Sequence, residues 1–155
     1  METAEFQPLD PRVRTVWLLG EALPFAVLGL VGGLVVAFAG IPALGVALAA
    51  MLLSVAAVAS LMVSARYRRW QWAARPESLE LRHGVIRRVE SSVPFGRLQQ
   101  IDIVQGPIER MLGIATFVIR TAAATSDGRI PGIPLTSAET IRATLLRRAG
   151  RDDAV

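Results

Sequence analysis

The sequence predicts a membrane-spanning helical hairpin of two transmembrane helices and an α+β domain, in which a bent antiparallel sheet or partly open barrel is closed by a C-terminal helix. The first observation is a run of residues, 22–65, without a charged side chain. The second is the alternation of apolar and polar residues in short segments between positions 79 and 133. The third is a helix-start pattern at Thr136. A chain of 155 residues has room for a hairpin and one small core.

Two spans fit into the uncharged run, because a helix needs about 20 residues to cross the hydrocarbon of a bilayer. Gly40 and Pro42 mark the turn, since glycine commonly follows the end of a helix and proline is tolerated in the first turn of the next. We therefore expect spans at 16–39 and 42–64, joined by a turn at 39–42. A cleaved signal peptide is disfavoured, because its apolar region is shorter and is not followed at once by a second span.

Arginines flank both spans and are absent from the turn between them. Because the cytoplasmic flanks of membrane helices carry the excess of basic residues, both termini are expected to be cytoplasmic and the protein to lie in the inner membrane. These arginines are Arg12 and Arg14 before the first span and Arg66, Arg68 and Arg69 after the second. Trp17, Tyr67 and Trp70 lie at the same ends and fit an aromatic belt at the interface.

Small residues recur at helical spacing in both spans, which permits close approach of helices in lipid. They include Gly29 and Gly33 in the first span and Gly45 and Ala49 in the second. Two interpretations remain open: the two spans pack against each other, or this face contacts a second copy or a partner's helix. Glu21 is also a candidate functional residue, as a carboxylate within a span, although it lies about one turn inside the interface, within reach of headgroups.

The soluble domain is expected at 66–150, with a separate cytoplasmic segment at 1–15 and a tail at 151–155. Its first strands form a predicted hairpin around a turn at His83 and Gly84. The arms of this hairpin are 79–82 and 85–93, and further strands are expected at 97–104, 114–122 and 129–133.

The last of these strands is placed at a sheet edge, because Pro131 cannot donate a ladder hydrogen bond. It follows a predicted turn at 125–128. Thr136 and Glu139 then have the S/T-x-x-E spacing of a capping box, and Gly150 is the expected end of the closing helix.

Sequence motifs of catalysis are missing: there is no H-E-x-x-H, no G-x-S-x-G and no glycine-rich phosphate loop. The chain has one histidine and no cysteine. His83, beside a turn glycine, is expected to be solvated. We therefore predict no enzyme, no cofactor, no metal site, no nucleic-acid partner and no identifiable small-molecule substrate. Trp70 and Trp72 lie beside arginines, but the membrane flank explains them better than nucleic acid does.

Membrane lipids are expected partners of the basic residues near the second span, because each such charge gains about 1 kcal/mol from an anionic leaflet. The candidate lipid-contacting residues are Arg66, Arg68, Arg69, Arg87 and Arg88. The last two lie on the second hairpin arm and join the others only if the hairpin tip faces the membrane.

A motif series in the middle of the soluble part is specific. It reads V-P-x-x-R-L-Q from Val93, then Q-G-P-x-x-R-x-x-G from Gln105. Following two spans and a strand hairpin, it resembles the YdbS-like bacterial membrane proteins, whose soluble part is a bacterial pleckstrin-homology (PH)-like domain. The resemblance implies a bent antiparallel sheet with a C-terminal helix and implies little chemistry. The motif residues are Pro94, Arg97, Gln99, Gln105, Gly106, Pro107, Arg110 and Gly113.

We expect these motif residues to be structural. Pro107 begins a single buried turn of helix, with Ile108, Met111 and Leu112 on one face. The long polar side chains of the motif, Arg97, Gln99, Gln105 and Arg110, are available to satisfy backbone groups that such a bend leaves unpaired.

The resulting functional expectation is a non-catalytic binding or scaffolding module at the cytoplasmic face of the inner membrane. Another membrane protein or self-association is favoured over lipid as the partner. Two alternatives are an accessory subunit of a transporter or lipid-handling complex, using the Gly29 and Gly33 face, and a binder of anionic lipid headgroups.

Overall fold

The computed structural model describes residues 5–121 and 128–152, with side chains up to residue 150. Its helices are α1 (Arg12–Glu21), α2 (Leu23–Phe38), α3 (Pro42–Arg69), α4 (Pro107–Met111) and α5 (Leu135–Asp152). Its strands are β1 (Gln7–Pro8), β2 (Gln71–Ala74), β3 (Ser78–His83), β4 (Val89–Pro94), β5 (Leu98–Val104), β6 (Ile114–Thr121) and β7 (Gly128–Pro134). The chain divides into two compact units, one from Arg14–Ala65 and the other from Met1–Val13 with Arg66–Val155.

The first unit contains most of two apolar helical stretches, Arg12–Phe38 and Pro42–Arg69, each long enough to cross a membrane, while their outer ends belong to the second unit. Both are longer than the expected spans, because hydropathy marks the lipid-embedded part of a helix and not its ends. The first stretch is interrupted at Ala22, since Pro24 in the first turn of α2 has no backbone N–H for the preceding turn.

Glycines allow α2 and α3 to pack closely. A Cβ on Gly33 would lie 2.7 Å from the Cβ of Ala49, and one on Gly29 would lie 2.9 Å from the Cβ of Leu52. Gly45 of α3 in turn lies against the backbone of α2. The small residues therefore pack within the hairpin, and the face of Gly29 and Gly33 is occupied by α3 rather than available to a partner's helix.

Two antiparallel sheets form the second unit, with strand orders β1-β2-β3-β4 and β5-β6-β7. A turn of 3-10 helix, Phe95–Arg97, carries the chain from one sheet to the other, and α5 packs against this turn and β5. The largest fully buried side chains of this unit are Phe95, Phe117, Leu79, Ile114, Ile119, Ile130, Leu145 and Val13. This arrangement confirms the expected bent antiparallel sheet with a C-terminal helix.

The N-terminal segment is part of this unit, contrary to the expectation of a separate segment. Gln7 and Pro8 pair with β2, and Leu9 and Val13 are buried. The amide of Asp10 donates a hydrogen bond to the carbonyl of Gly132, at 3.2 Å. A two-residue strand has no periodicity, so the sequence carries no signal for it.

Three local expectations are wrong. Residues 85–88 form a turn and not a strand arm, because β4 begins at Val89. Thr136 lies inside α5 and does not cap it, since the helix begins at Leu135, and Glu139 pairs instead with Arg142 at 2.8 Å. The helix also continues past Gly150 to Asp152. The predicted turn at 125–128 lies outside the described residues except for Gly128.

Candidate anion-binding cleft

A basic cleft of about 280 Å³ lies where α3 ends beside the β3–β4 hairpin. It combines side chains from the last turn of α3, from two strands and from the hairpin turn. The lining residues are Arg69, Gln71, Arg82, His83, Gly84 and Arg88. Three guanidinium groups therefore share one concavity, which is suited to an anion.

Gly84 shapes the turn that forms one wall of the cleft. Its φ of +110° lies in a region that side-chain-bearing residues rarely adopt, and a Cβ there would collide with the carbonyl oxygen of Arg87. Arg69 Nη1 donates a 2.7 Å hydrogen bond to the carbonyl of Val85. The hairpin turn is thus held against the end of α3.

Trp70 and His83 support the cleft from within the domain. Their rings are stacked with centroids 5.6 Å apart, and Trp70 is only 7% exposed. Trp70 is therefore not an aromatic-belt residue, because the chain turns from α3 directly into β2 and carries the indole into the soluble core. His83 is half-buried and is not a solvated turn residue. Tyr67, also assigned to the belt, donates its hydroxyl to the carbonyl of Leu9, at 3.1 Å.

One carboxylate partly balances the positive charge beside the cleft. Glu90 lies 2.8 Å from Arg88 Nη2 and 3.5 Å from Arg82 Nε. The Arg82 guanidinium also lies 3.9 Å from the centroid of the Phe6 ring, which holds it by a cation–π contact. Guanidinium groups present planar pairs of donors to carboxylates and phosphates, so an incoming anion would compete with Glu90 for these arginines.

Only part of the predicted basic cluster meets in the cleft. Arg69 and Arg88 line it, whereas Arg66, Arg68 and Arg87 do not. Sequence reasoning missed Arg82, which faces Glu90 across the hairpin. The observed register pairs Arg82 with Glu90, which sets Arg82 close to Arg88, and the shorter turn expected from the sequence does not predict that register.

The second half of the family motif, from Gln105 to Gly113, lies at the bend between β5 and β6. Gln105 Nε2 donates to the carbonyl of Ile114 at 2.8 Å, which satisfies a backbone group as expected for this position. Glu109 accepts hydrogen bonds from the amide of Gly106, at 2.6 Å, and from the hydroxyl of Thr116, at 2.7 Å. Pro107 is the first residue of α4.

The expected burial of the helical turn is wrong. The helical turn is not buried, because Met111 is 87% exposed. Ile108 and Leu112 are half-buried, whereas Met111 at the end of α4 faces away from the domain. The side chains of Pro94, Arg97, Gln99 and Arg110 are exposed. Gly113 adopts a φ of +67° just after the helix, which fits the structural role expected of this residue.

A second cleft, of about 330 Å³, lies on the β5–β6–β7 sheet, and two of its charged residues pair with each other. Arg120 Nε lies 3.0 Å from Asp102 Oδ2. The hydrogen bond from Gln100, and then that from Arg120, lowers the pKa of the Asp102 carboxyl. Across residues 5–121 and 128–152, no group of three His, Asp or Glu side chains is placed to hold a metal ion.

Two membrane helices carrying a two-sheet antiparallel domain with a C-terminal helix define a membrane-anchored protein of PH-like fold. The bacterial PH domain family matches residues 24–149, and the chain belongs to this family. It is 27% identical over 84 residues to the UPF0699 transmembrane protein YdbS of Bacillus subtilis (strain 168). That alignment covers 54% of this chain and 52% of the relative, so the chain spans about half the length of the curated protein it matches. No solved structure matches the chain.

Proposed function

We propose that this protein is a membrane-anchored, non-catalytic binding module whose basic cleft holds an anionic phospholipid headgroup at the cytoplasmic face of the inner membrane. The observation that carries the proposal is the convergence of Arg69, Arg82 and Arg88 on one cleft. The fork of donors on each guanidinium fits phosphate oxygens, and His83 adds a further ring nitrogen to the lining.

The position of Arg69 along α3 favours a lipid over a protein partner. The uncharged run ends at Ala65, and Arg69 follows four residues later in the same helix. At 1.5 Å per residue this is a rise of about 6 Å, which is the depth of a headgroup layer and not of the bulk cytoplasm. An anion recognised there is most simply the phosphate of the bilayer itself.

Lipid retention by the full chain tests the proposal. Phosphatidylglycerol would be titrated onto the protein in a neutral detergent and counted by intact-protein mass spectrometry, with phosphatidylcholine as the zwitterionic reference. Arg88→Gln is expected to weaken phosphatidylglycerol binding about tenfold, as the loss of one charge-assisted hydrogen bond predicts. Arg147→Gln makes the same charge change on α5, outside the cleft. Equal losses in both variants would show that the cleft is not the site.

Inorganic phosphate separates a lipid from a soluble ligand. If the cleft serves the membrane, millimolar phosphate displaces little phosphatidylglycerol, because the acyl chains contribute to retention. Full displacement would instead indicate a soluble phosphate compound as the ligand.

The cytoplasmic orientation rests on two features. Residues before and after the hairpin belong to one compact unit, which supports placing both flanks on the same side, and the arginine excess there favours the cytoplasmic side. Because the chain has no cysteine, single-cysteine variants report topology directly. Ser92→Cys is expected to resist an impermeant maleimide in intact cells, whereas Ile41→Cys, in the turn between the spans, is expected to react. Labelling of Ser92→Cys in intact cells would reverse the orientation.

A further inference from the structure

Two turns of the soluble unit display apolar side chains at their tips. Among described residues outside Arg14–Ala65, Ile86 and Met111 are by far the most exposed large apolar side chains, at 94% and 87%. Val104 follows at 48%. Ile86 is in the β3–β4 turn and Met111 is at the end of α4, so neither is near the other in sequence.

Each tip is tied to a different flank of the helical hairpin by the same kind of bond. Arg69, in the last turn of α3, donates from Nη1 to the carbonyl of Val85, next to Ile86, at 2.7 Å. Arg12, the first residue of α1, donates from Nη1 to the carbonyl of Leu112, next to Met111, at 3.0 Å. The chain leaves this unit after Val13 and returns at Arg66. Both tips therefore lie beside the points where the chain passes to the membrane helices.

Basic residues accompany both apolar tips. Arg87 and Arg88 follow Ile86, and Arg110 precedes Met111, while the carboxylate of Glu109 is turned inward to Gly106 and Thr116. An apolar side chain with adjacent arginines matches the two layers of a bilayer surface, acyl chains below and anionic headgroups above. A protein partner would not need both tips to be fixed to the hairpin flanks.

We propose that Ile86 and Met111 are two membrane-contacting tips that insert into the headgroup and upper acyl region of the bilayer that α2 and α3 span. Their insertion braces the soluble unit against the surface at two points, one for each flank. The proposal goes beyond headgroup recognition, because it depends on apolar side chains outside the cleft and holds whether or not the cleft binds phosphate.

Spin labels beside the tips test the insertion in the full chain, reconstituted in nanodiscs of phosphatidylethanolamine and phosphatidylglycerol. The chain has no cysteine of its own, so Arg87→Cys and Arg110→Cys give unique label positions that leave Ile86 and Met111 intact. Accessibility to oxygen, which concentrates in lipid, would be compared with accessibility to an aqueous nickel chelate. Ser92→Cys, exposed on β4, about 10 Å along the strand from the end of the turn, is the aqueous reference.

Both tip labels are expected to favour oxygen relative to the Ser92 position. Adding Ile86→Ser to the first variant and Met111→Ser to the second is expected to raise nickel accessibility severalfold at the label beside the altered tip. Labels with the accessibility of the Ser92 position, or labels unchanged by the serine substitutions, would overturn the proposal. If only one of the two tip labels showed lipid-like accessibility and a change on serine substitution, the two-point contact would be overturned. Thermal unfolding of each variant, unchanged for residues this exposed, excludes loss of the fold as the cause.

Discussion

Trp70 and His83 stack with their ring planes inclined by 16° and their centroids 5.6 Å apart. The pair joins the residue after α3 to the last residue of β3, so the same contact fixes the end of the membrane helix and one wall of the basic cleft.

Removing the indole is expected to lower both the stability of the domain and the affinity of the basic cleft. Trp70→Ala deletes a side chain that is 7% exposed and should lower the free energy of unfolding by about 3 kcal/mol, the cost of a large cavity. Phosphatidylglycerol binding should weaken with it, because His83 loses its stacking partner. Trp70→Phe keeps an aromatic ring and should recover most of both. Denaturant unfolding of the full chain in detergent measures the first quantity and lipid titration the second. Wild-type stability in Trp70→Ala would contradict the packing role.

Glu90 is expected to compete with the ligand of the cleft. Its carboxylate lies 2.8 Å from Arg88 and 3.5 Å from Arg82, and an incoming phosphate must replace these contacts. Glu90→Gln should therefore tighten phosphatidylglycerol binding about threefold, which corresponds to a surface ion pair of about 0.7 kcal/mol. The matched control is Glu80→Gln, because Glu80 on β3 pairs with Arg75, at 3.3 Å, outside the cleft. Equal effects of the two substitutions would indicate a general charge effect.

The sequence was sufficient for the fold class because its strongest signals are long or repeated. An uncharged run such as 22–65 is visible without tertiary information, and so is strand alternation on both sides of Gly84. Trp70 was misplaced because hydropathy and flank position do not distinguish a residue in the interface from one just beyond it, where the chain turns into β2. The neighbouring arginines are compatible with Trp70 at the membrane interface and with Trp70 in the domain beyond it.

The sequence did not predict contacts between residues that are far apart along the chain. Leu9 and Val13 are buried in a unit whose strands β2–β7 lie more than fifty residues away in the sequence. Local periodicity therefore does not predict their burial. Met111 has helical spacing to Ile108 and was expected in the core, although whether an apolar stripe faces the core depends on what the fold sets opposite it. Arg82 joined the cleft through strand register, which local composition does not specify.

Acid pH is expected to lower the stability of the β5–β6–β7 sheet, because Asp102 becomes protonated. Hydrogen bonds from Gln100, and then from Arg120, hold the pKa of this carboxyl below its ordinary value. A lowered folded-state pKa contributes stability at pH values above the unfolded value of about 3.9, and the contribution is lost as the pH falls through the folded value. Asp102→Asn should therefore flatten the decline of the unfolding midpoint below about pH 4. A carboxyl titration by NMR checks the cause, since Gln100→Ala should raise the pKa of Asp102. An unshifted pKa in that variant would contradict it.

The close contact between α2 and α3 is expected to tolerate no added methyl group at Gly33. A Cβ there would lie 2.7 Å from both the Cβ of Ala49 and the carbonyl oxygen of Gly45. Gly33→Ala should destabilise the hairpin by about 1–3 kcal/mol, the usual cost of overpacking. Gly32→Ala is the matched control, because its nearest atom would be a Leu48 methyl at 3.8 Å. Thermal unfolding of the full chain in detergent compares the two. A partner-helix role for Gly33 would instead leave the monomer unchanged and alter only its co-purifying proteins.

The packing of the N-terminal segment against the domain is expected to depend on Gly132. This residue has a φ of +70°, and a Cβ on it would lie 2.9 Å from the Cβ of Val13. Gly132→Ala combines a left-handed conformation, which costs about 1–2 kcal/mol for a residue with a side chain, with displacement of Val13. Gly150→Ala is the control, since no atom lies within 4 Å of its added Cβ.

Hydrogen exchange should report the displacement directly. The amide of Asp10 donates to the carbonyl of Gly132 at 3.2 Å, and the segment reaches β2 through Gln7. In Gly132→Ala we expect faster exchange at residues 7–13 and at the facing edge of β2, with little change in β6. If the Asp10 amide exchanged no faster in Gly132→Ala than in Gly150→Ala, the contact with Gly132 would not hold the segment, and its pairing with β2 alone would do so.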